Sequence, residues 1–149
     1  MITEYHFPTL IYIKEISNAS KLNFHLEKNI LQWQKNDPKG VSKTNAGGWH
    51  STTDMNKKQE YNPLSKELFN MQDEIFQKEY LTMKPVLGNM WANINPPGGF
   101  NRPPELWREV HYTPRAGIIV MFPAWLWHEV QPNESNDTRI SVSFNFLQR

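Results

Sequence analysis

The sequence predicts an α+β domain: two stretches of helical periodicity come first, strand after strand follows, and proline and glycine punctuate the whole. Eleven prolines, seven glycines and an aromatic share of 13% suit a β-rich fold with many turns better than a helical bundle. At 149 residues the chain is read as a single domain over residues 1–149, long enough to bury a core of its own.

The opening run His6-Phe7-Pro8-Thr9-Leu10-Ile11-Tyr12-Ile13 is β-branched and aromatic after Pro8, which predicts a first strand. Over residues 17–34, Leu22, Leu26, Ile30 and Trp33 recur at helical spacing, with Asn18 or Ser20 placed to cap the start. The turn signal Asp37-Pro38-Lys39-Gly40 ends that helix. Residues 41–62 are polar and turn-rich, hold Asn45-Ala46-Gly47-Gly48-Trp49-His50-Ser51, and read as an ordered loop. After Pro63 a second helix is predicted, with Leu64, Leu68, Met71, Ile75 and Tyr80 as its apolar stripe. Ser65 is its cap or first-turn residue, Glu67 lies near its positive end, and it stops before Lys84-Pro85. Strands are then expected at 88–95, 109–112, 117–122, 125–130 and 139–147.

Composition excludes several functions. The 16 basic and 15 acidic residues nearly cancel and are scattered, so no stripe exists to track phosphates and no nucleic-acid partner is expected. Without cysteine there is no disulfide, thiolate metal site or cysteine nucleophile, and any metal falls to His, Asp or Glu. No basic segment followed by an apolar one opens the chain, and no stretch approaches a membrane span. A soluble, cytoplasmic protein with no membrane partner is therefore expected.

The last predicted strand alternates. Ile140, Val142, Phe144 and Phe146 face one way, while Arg139, Ser141, Ser143 and Asn145 face the other. An Arg and a Ser two residues apart set a cationic fork beside a hydroxyl, which suits one carboxylate of a small dicarboxylic acid, although a solvated strand face has the same pattern. Upstream runs Pro114-Arg115-Ala116-Gly117-Ile118-Ile119-Val120-Met121-Phe122-Pro123, then Ala124-Trp125-Leu126-Trp127-His128-Glu129-Val130, with Pro132-Asn133 beyond.

A Pro-x-x-Gly turn, an apolar strand ending in Phe-Pro and a His shortly after it resemble the distal-histidine segment of the Fe(II)/2-oxoglutarate oxygenase superfamily. The segments Trp91-Ala92-Asn93-Ile94-Asn95-Pro96-Pro97-Gly98-Gly99-Phe100-Asn101-Arg102-Pro103 and Gly48-Trp49-His50-Ser51 extend the likeness to the oxygenases of this superfamily found in bacteria and phages. In phage-encoded members the site of action would be the host cytoplasm. The resemblance covers residues from about Phe7 to Arg149. It implies a double-stranded β-helix of jelly-roll or cupin type, Fe(II) and 2-oxoglutarate as cofactor and cosubstrate, and hydroxylation as the activity. It also implies His128 as an iron ligand and, with ten residues between, Arg139 with Ser141 on the cosubstrate carboxylate.

One departure stands out. Where those relatives continue from Asn-Arg-Pro into His-x-His or His-x-Asp, Pro103 is followed here by Pro104-Glu105-Leu106-Trp107-Arg108. The oxygenase triad needs two histidines and a carboxylate with open positions, and His128 alone is in register. Substitutes are His50, His111, Glu105 and Glu109. Glu109 and His111 share a strand face at i, i+2 spacing, although such pairs are usually surface pairs, and His50 equally suits a structural or substrate-side turn. His128 itself could simply pack between Trp125 and Trp127, and Trp91, Trp107, Trp125 and Trp127 read as core and rim packing.

The expectation is thus two helices on a partial double-stranded β-helix. Its function is either a hydroxylase-type oxygenase weakened by the lost ligand pair or a non-catalytic cupin-like binding or structural module. Strands missing from the family pattern would leave open edges, repaired by a homodimer or by the 41–62 loop folding over the gap.

Overall fold

The computed structural model describes residues 9–43, 45–83, 85–98, 100–101 and 110–147. They form a mixed domain in which two helices precede most of the strands, and every strand pair is antiparallel. In chain order the elements are β1 (Tyr12–Glu15), α1 (Ala19–Asn36), β2 (Asn45–Ala46), β3 (Trp49–His50), α2 (Asn62–Lys78), β4 (Val86–Asn95), β5 (Phe100–Asn101), β6 (Ile118–Met121) and β7 (Arg139–Leu147). Strands β1 and β6 pair, β2 and β5 pair, and β3-β4-β7 form a three-stranded sheet with β4 in the middle.

Helix α1 begins where its stripe does. Leu26 and Ile30 are buried, and Leu22 and Trp33 pack partly against the same core. Asn18 occupies the cap position in the left-handed conformation (φ 59°) and makes no side-chain cap bond, while Ser20 lies inside the helix. The helix stops at Asn36, before Pro38, and the Asp37 amide donates to the Trp33 carbonyl at 2.9 Å. Helix α2 starts with a proline in its first turn, where the missing N–H costs nothing. Leu64, Leu68 and Met71 are buried along it, and Ile75 packs beside them. Because α2 opens at Asn62, Glu67 falls in its second turn, too far in to meet the dipole as expected. Tyr80 lies beyond the helix with φ 53° and is 90% exposed, so it leaves the predicted stripe.

Three strand expectations change. The first strand sits at Tyr12–Glu15; residues 6–8 of the predicted run lie outside the described residues, and 9–11 precede the strand. Of 109–112, residue 109 lies outside the described residues and 110–112 are not extended pairs. Residues 125–130 are a turn and coil with only a bridge at Val130, because Pro123 accepts the Leu126 amide at 3.0 Å and reverses the chain. The 41–62 segment is ordered, as predicted, and carries β2, β3 and two short 3₁₀ turns at Met55–Lys57 and Gln59–Tyr61.

The core lies between the helices and one face of β4 and β7. Met90, Ala92 and Ile94 of β4 are buried with Leu26, Ile30, Leu64, Leu68 and Met71, and Ile140, Val142, Phe144 and Phe146 of β7 pack onto them. Trp33 lies edge-on to Trp49 and stacked on Tyr61, and the Trp49 indole N–H donates to the Asp37 carbonyl at 2.8 Å. These aromatics hold β3 to the end of α1. Gly40 makes this close approach possible: its φ is +54°, and a Cβ there would fall 2.5 Å from the His50 carbonyl oxygen.

Burial pushes the Tyr61 phenol from 10.0 up to about 12. Between those values the unfolded chain has released a proton that the folded chain still holds, so stability must fall as pH rises through this window. Urea unfolding followed by tryptophan fluorescence should therefore show a midpoint that declines from about pH 10 to about pH 12. Tyr61→Phe should decline less steeply, and an equal slope in both proteins would contradict the buried phenol.

Candidate functional site

Alternation along β4 and β7 makes the second face of the sheet as specific as the core face. Opposite the apolar side stand Asn89, Trp91, Asn93 and Asn95 of β4, in register with Asn145, Ser143, Ser141 and Arg139 of β7 respectively. Strand β3 adds His50, whose register partner is Asn93. His50 is buried and its ring stacks on Trp91 at 5.7 Å and 11°, a diagonal neighbour across the strands. Its Nδ1 lies 2.5 Å from the Ser51 carbonyl oxygen. Asn145 donates to Asn89 Oδ1 at 3.0 Å, and Asn93 Nδ2 donates to Ser143 Oγ at 3.3 Å.

Toward the Arg139 end this face stops satisfying itself. Asn93 and Asn95 are 1% and 0% exposed, yet Asn93 Oδ1, both side-chain polar atoms of Asn95 and Arg139 Nε are buried without a hydrogen-bond partner. A buried polar group left unpaired costs about 1–3 kcal/mol, so such atoms are uncommon in isolation and rarer in a group. The other unpartnered atoms among the described residues, Asn56 Oδ1, Ser65 Oγ and Gln72 Oε1, belong to the 3₁₀ turn and α2.

Arg139 is anchored by its far end. Nη2 donates to the Gln131 carbonyl at 2.9 Å, and burial lowers the guanidinium's pKa from its ordinary value without another group contributing. No carboxylate pairs with it among the described residues. A cation held at one end, with its Nε–H unpaired and its backbone in register with Asn95, has a donor of the kind a carboxylate accepts from. Ser141 follows on the same strand face, opposite Asn93.

His128 lies in the turn after Pro123 and is exposed. Its Nδ1 is 2.9 Å from the Leu126 carbonyl and its ring meets Phe122 edge-on at 4.8 Å. Donation from Nδ1 to a carbonyl leaves Nε2 with its lone pair, the tautomer that a metal requires. Gln131, which receives Arg139, is three residues further on, and three residues of extended chain span at most about 11 Å. Trp125 and Trp127 are 67% and 62% exposed, which excludes the core half of the core-and-rim packing expected of them, and Trp91 belongs to the polar face. His111 is exposed, whereas Glu105, Trp107 and Glu109 lie outside the described residues.

Asn93 and Asn95 are the functional candidates that the residue patterns had not singled out. The signal was present in the two-residue period of Asn89, Trp91, Asn93 and Asn95, matched to that of β7.

The family model described as "Putative 2OG-Fe(II) oxygenase" matches residues 6–145, and the chain belongs to that family. No curated protein matches it. Membership suggests Fe(II) and 2-oxoglutarate as ligands. Of the unpaired atoms around Arg139, its own Nε and Asn95 Nδ2 are donors that suit a carboxylate of the second, whereas Asn93 Oδ1 and Asn95 Oδ1 are acceptors that it does not answer. For iron, no group of three or more His, Cys, Asp or Glu able to hold a metal occurs among the described residues, so those residues by themselves do not fit it. No helix among the described residues is long and apolar enough to cross a membrane.

Gly48 presses against this site, where a Cβ would overlap Asn95 Oδ1 and come 2.7 Å from the Ile94 carbonyl oxygen. Gly48→Ala should therefore destabilise the fold by roughly 1–3 kcal/mol, read as a lower urea midpoint. An unchanged midpoint would mean that Asn95 is free to swing aside.

Proposed function

We propose that the chain is a cytoplasmic 2-oxoglutarate-binding member of its family, with Arg139 and Ser141 on one carboxylate of the cosubstrate, Asn93 and Asn95 lining the same place and His128 on the metal side. The described strands would be part of a double-stranded β-helix of jelly-roll type. The observation that supports this reading best is Arg139 Nε, buried and unpaired in register with an equally unpaired Asn95.

Each residue has a distinct task in this scheme. The Gln131 carbonyl fixes one end of the guanidinium, so that Nε–H is held in a set place rather than left to search. Burial strengthens the attraction of Arg139 for an anion by removing competing water. Ser141 adds a hydroxyl that can donate to the same carboxylate. His128, with Nδ1 turned to a backbone carbonyl, keeps Nε2 for a metal.

Binding is proposed without efficient turnover. Pro104-Glu105-Leu106 stands where the family's paired ligands would be, and one imidazole cannot impose the geometry that oxygen activation needs. Calorimetric titration with 2-oxoglutarate should detect binding that Arg139→Ala weakens by about 10- to 100-fold, the range for a charge-assisted hydrogen bond. Succinate formation under Fe(II) should be feeble. Robust iron-dependent succinate formation, lost in His128→Ala, would contradict this reading.

A homodimer completes the proposal. The 41–62 segment already covers one edge of β4 by supplying β3, while β7 is outermost in its sheet among the described residues. Light scattering across a dilution series should show a concentration-dependent dimer; a cooperative monomer throughout would remove this part.

A further inference from the structure

The side chain most completely bonded near the proposed site lies outside it. Asn133 is 5% exposed, in the loop between His128 and β7. Its Nδ2 donates to the Asn95 carbonyl at 3.0 Å and to the Asp137 carbonyl at 2.7 Å. Its Oδ1 accepts from the Ser135 hydroxyl at 2.8 Å and from the Ser135 amide at 3.4 Å. Its own carbonyl accepts from the Gly98 amide at 2.8 Å. Both donors and both acceptor positions of the side chain are therefore used, in contrast to Asn95, whose side chain uses none.

What these bonds join matters more than their number. Asn95 and Arg139 are register partners at the end of β4 and the start of β7. Asn133 grips the first at its own carbonyl and the second through Asp137, two residues before it in the chain. Gly98, just beyond β4, is tied to the Asn133 backbone. The same loop presents the Gln131 carbonyl that orients the guanidinium.

We infer that Asn133 is the positioning residue of the carboxylate face, holding the end of β4 and the loop entering β7 at a set separation so that Asn95 and Arg139 present their unpaired atoms together. This rests on the reading of that face as the cosubstrate site. Only an amide meets the demand: an aspartate would turn acceptor oxygens toward two carbonyls, and a serine would be too short to reach both sides.

The test uses the whole chain and two readouts. The first is the Arg139 Nε–H resonance in a nitrogen-proton correlation spectrum, assigned by its loss in Arg139→Lys. The second is the affinity for 2-oxoglutarate by calorimetry. In the wild type the resonance should be resolved and slow to exchange. In Asn133→Asp it should move into the envelope of exposed arginines and exchange faster, with binding about tenfold weaker, the equivalent of one hydrogen bond at about 1.4 kcal/mol. Ser135→Ala, which removes the exposed hydroxyl that bonds Asn133 Oδ1 and also the Asp137 carbonyl and amide but leaves both Asn133 Nδ2 bonds in place, should shift both readouts in the same direction by less. Gln32→Ala breaks a comparable exposed bond to Asn36 on α1 and should change neither.

Asn133→Asp that melts lower but keeps the wild-type resonance and affinity would overturn the inference, leaving Asn133 as a loop staple. If Asn133→Asp does not fold, Ser135→Ala decides: an unchanged resonance overturns the inference and a shifted one supports it. Failure of the wild type to bind 2-oxoglutarate would defeat the proposed function instead, and the resonance alone would then decide the role of Asn133.

Discussion

The pairing of β4 with β7 over Val86–Asn95 and Arg139–Leu147 is the constraint on which both the core and the candidate site depend. Strand side chains alternate, so one register assigns every residue of both strands to a face at once. Met90, Ala92 and Ile94 with Ile140, Val142 and Phe144 go to the helices. Asn89, Asn93 and Asn95 with Arg139, Ser141 and Ser143 go to the other side. A slip of one residue would carry Arg139 into the helix-facing core and the isoleucines out of it.

Such a face is costly unless something answers it. In ordinary antiparallel sheets the polar side meets water, whereas here Asn93, Asn95 and half-buried Arg139 are withheld from it. Asn145 bonds Asn89 and the Asn93 amide nitrogen bonds Ser143, while Asn93 Oδ1 is left unpaired. The deficit gathers at one end, beside the loop that Asn133 ties together. This gathering of unmet polarity beside a fully bonded Asn133 is the ground on which a binding site is proposed there.

Much of this was legible in the sequence wherever a period ran long enough. Helix α1 and helix α2 followed from Leu22, Leu26, Ile30 and Leu64, Leu68, Met71, and the faces of β7 followed from its alternation. The family itself was readable from His128, Arg139 and Ser141 together with the Trp91 to Asn95 segment. Two-residue strands such as β2 and β3 carry no period, so the 41–62 segment could only be read as a loop. Residues 125–130 were misread as a strand because aromatic content outweighed the turn set by Pro123, and Tyr80 was misplaced because its left-handed φ lies past the helix end. Asn93 and Asn95 escaped notice because their pairing with Ser141 and Arg139 exists only once the register is known.

The central claim is that Arg139 and Asn95 await a carboxylate, and a crystal structure of the chain grown with 2-oxoglutarate tests it most directly. The account predicts one carboxylate within hydrogen-bond distance of Arg139 Nε and the Asn95 amide, with the Gln131 and Asn133 bonds unchanged. A structure in which the dicarboxylate binds elsewhere while Arg139 Nε pairs with an acidic side chain of the protein itself would contradict it.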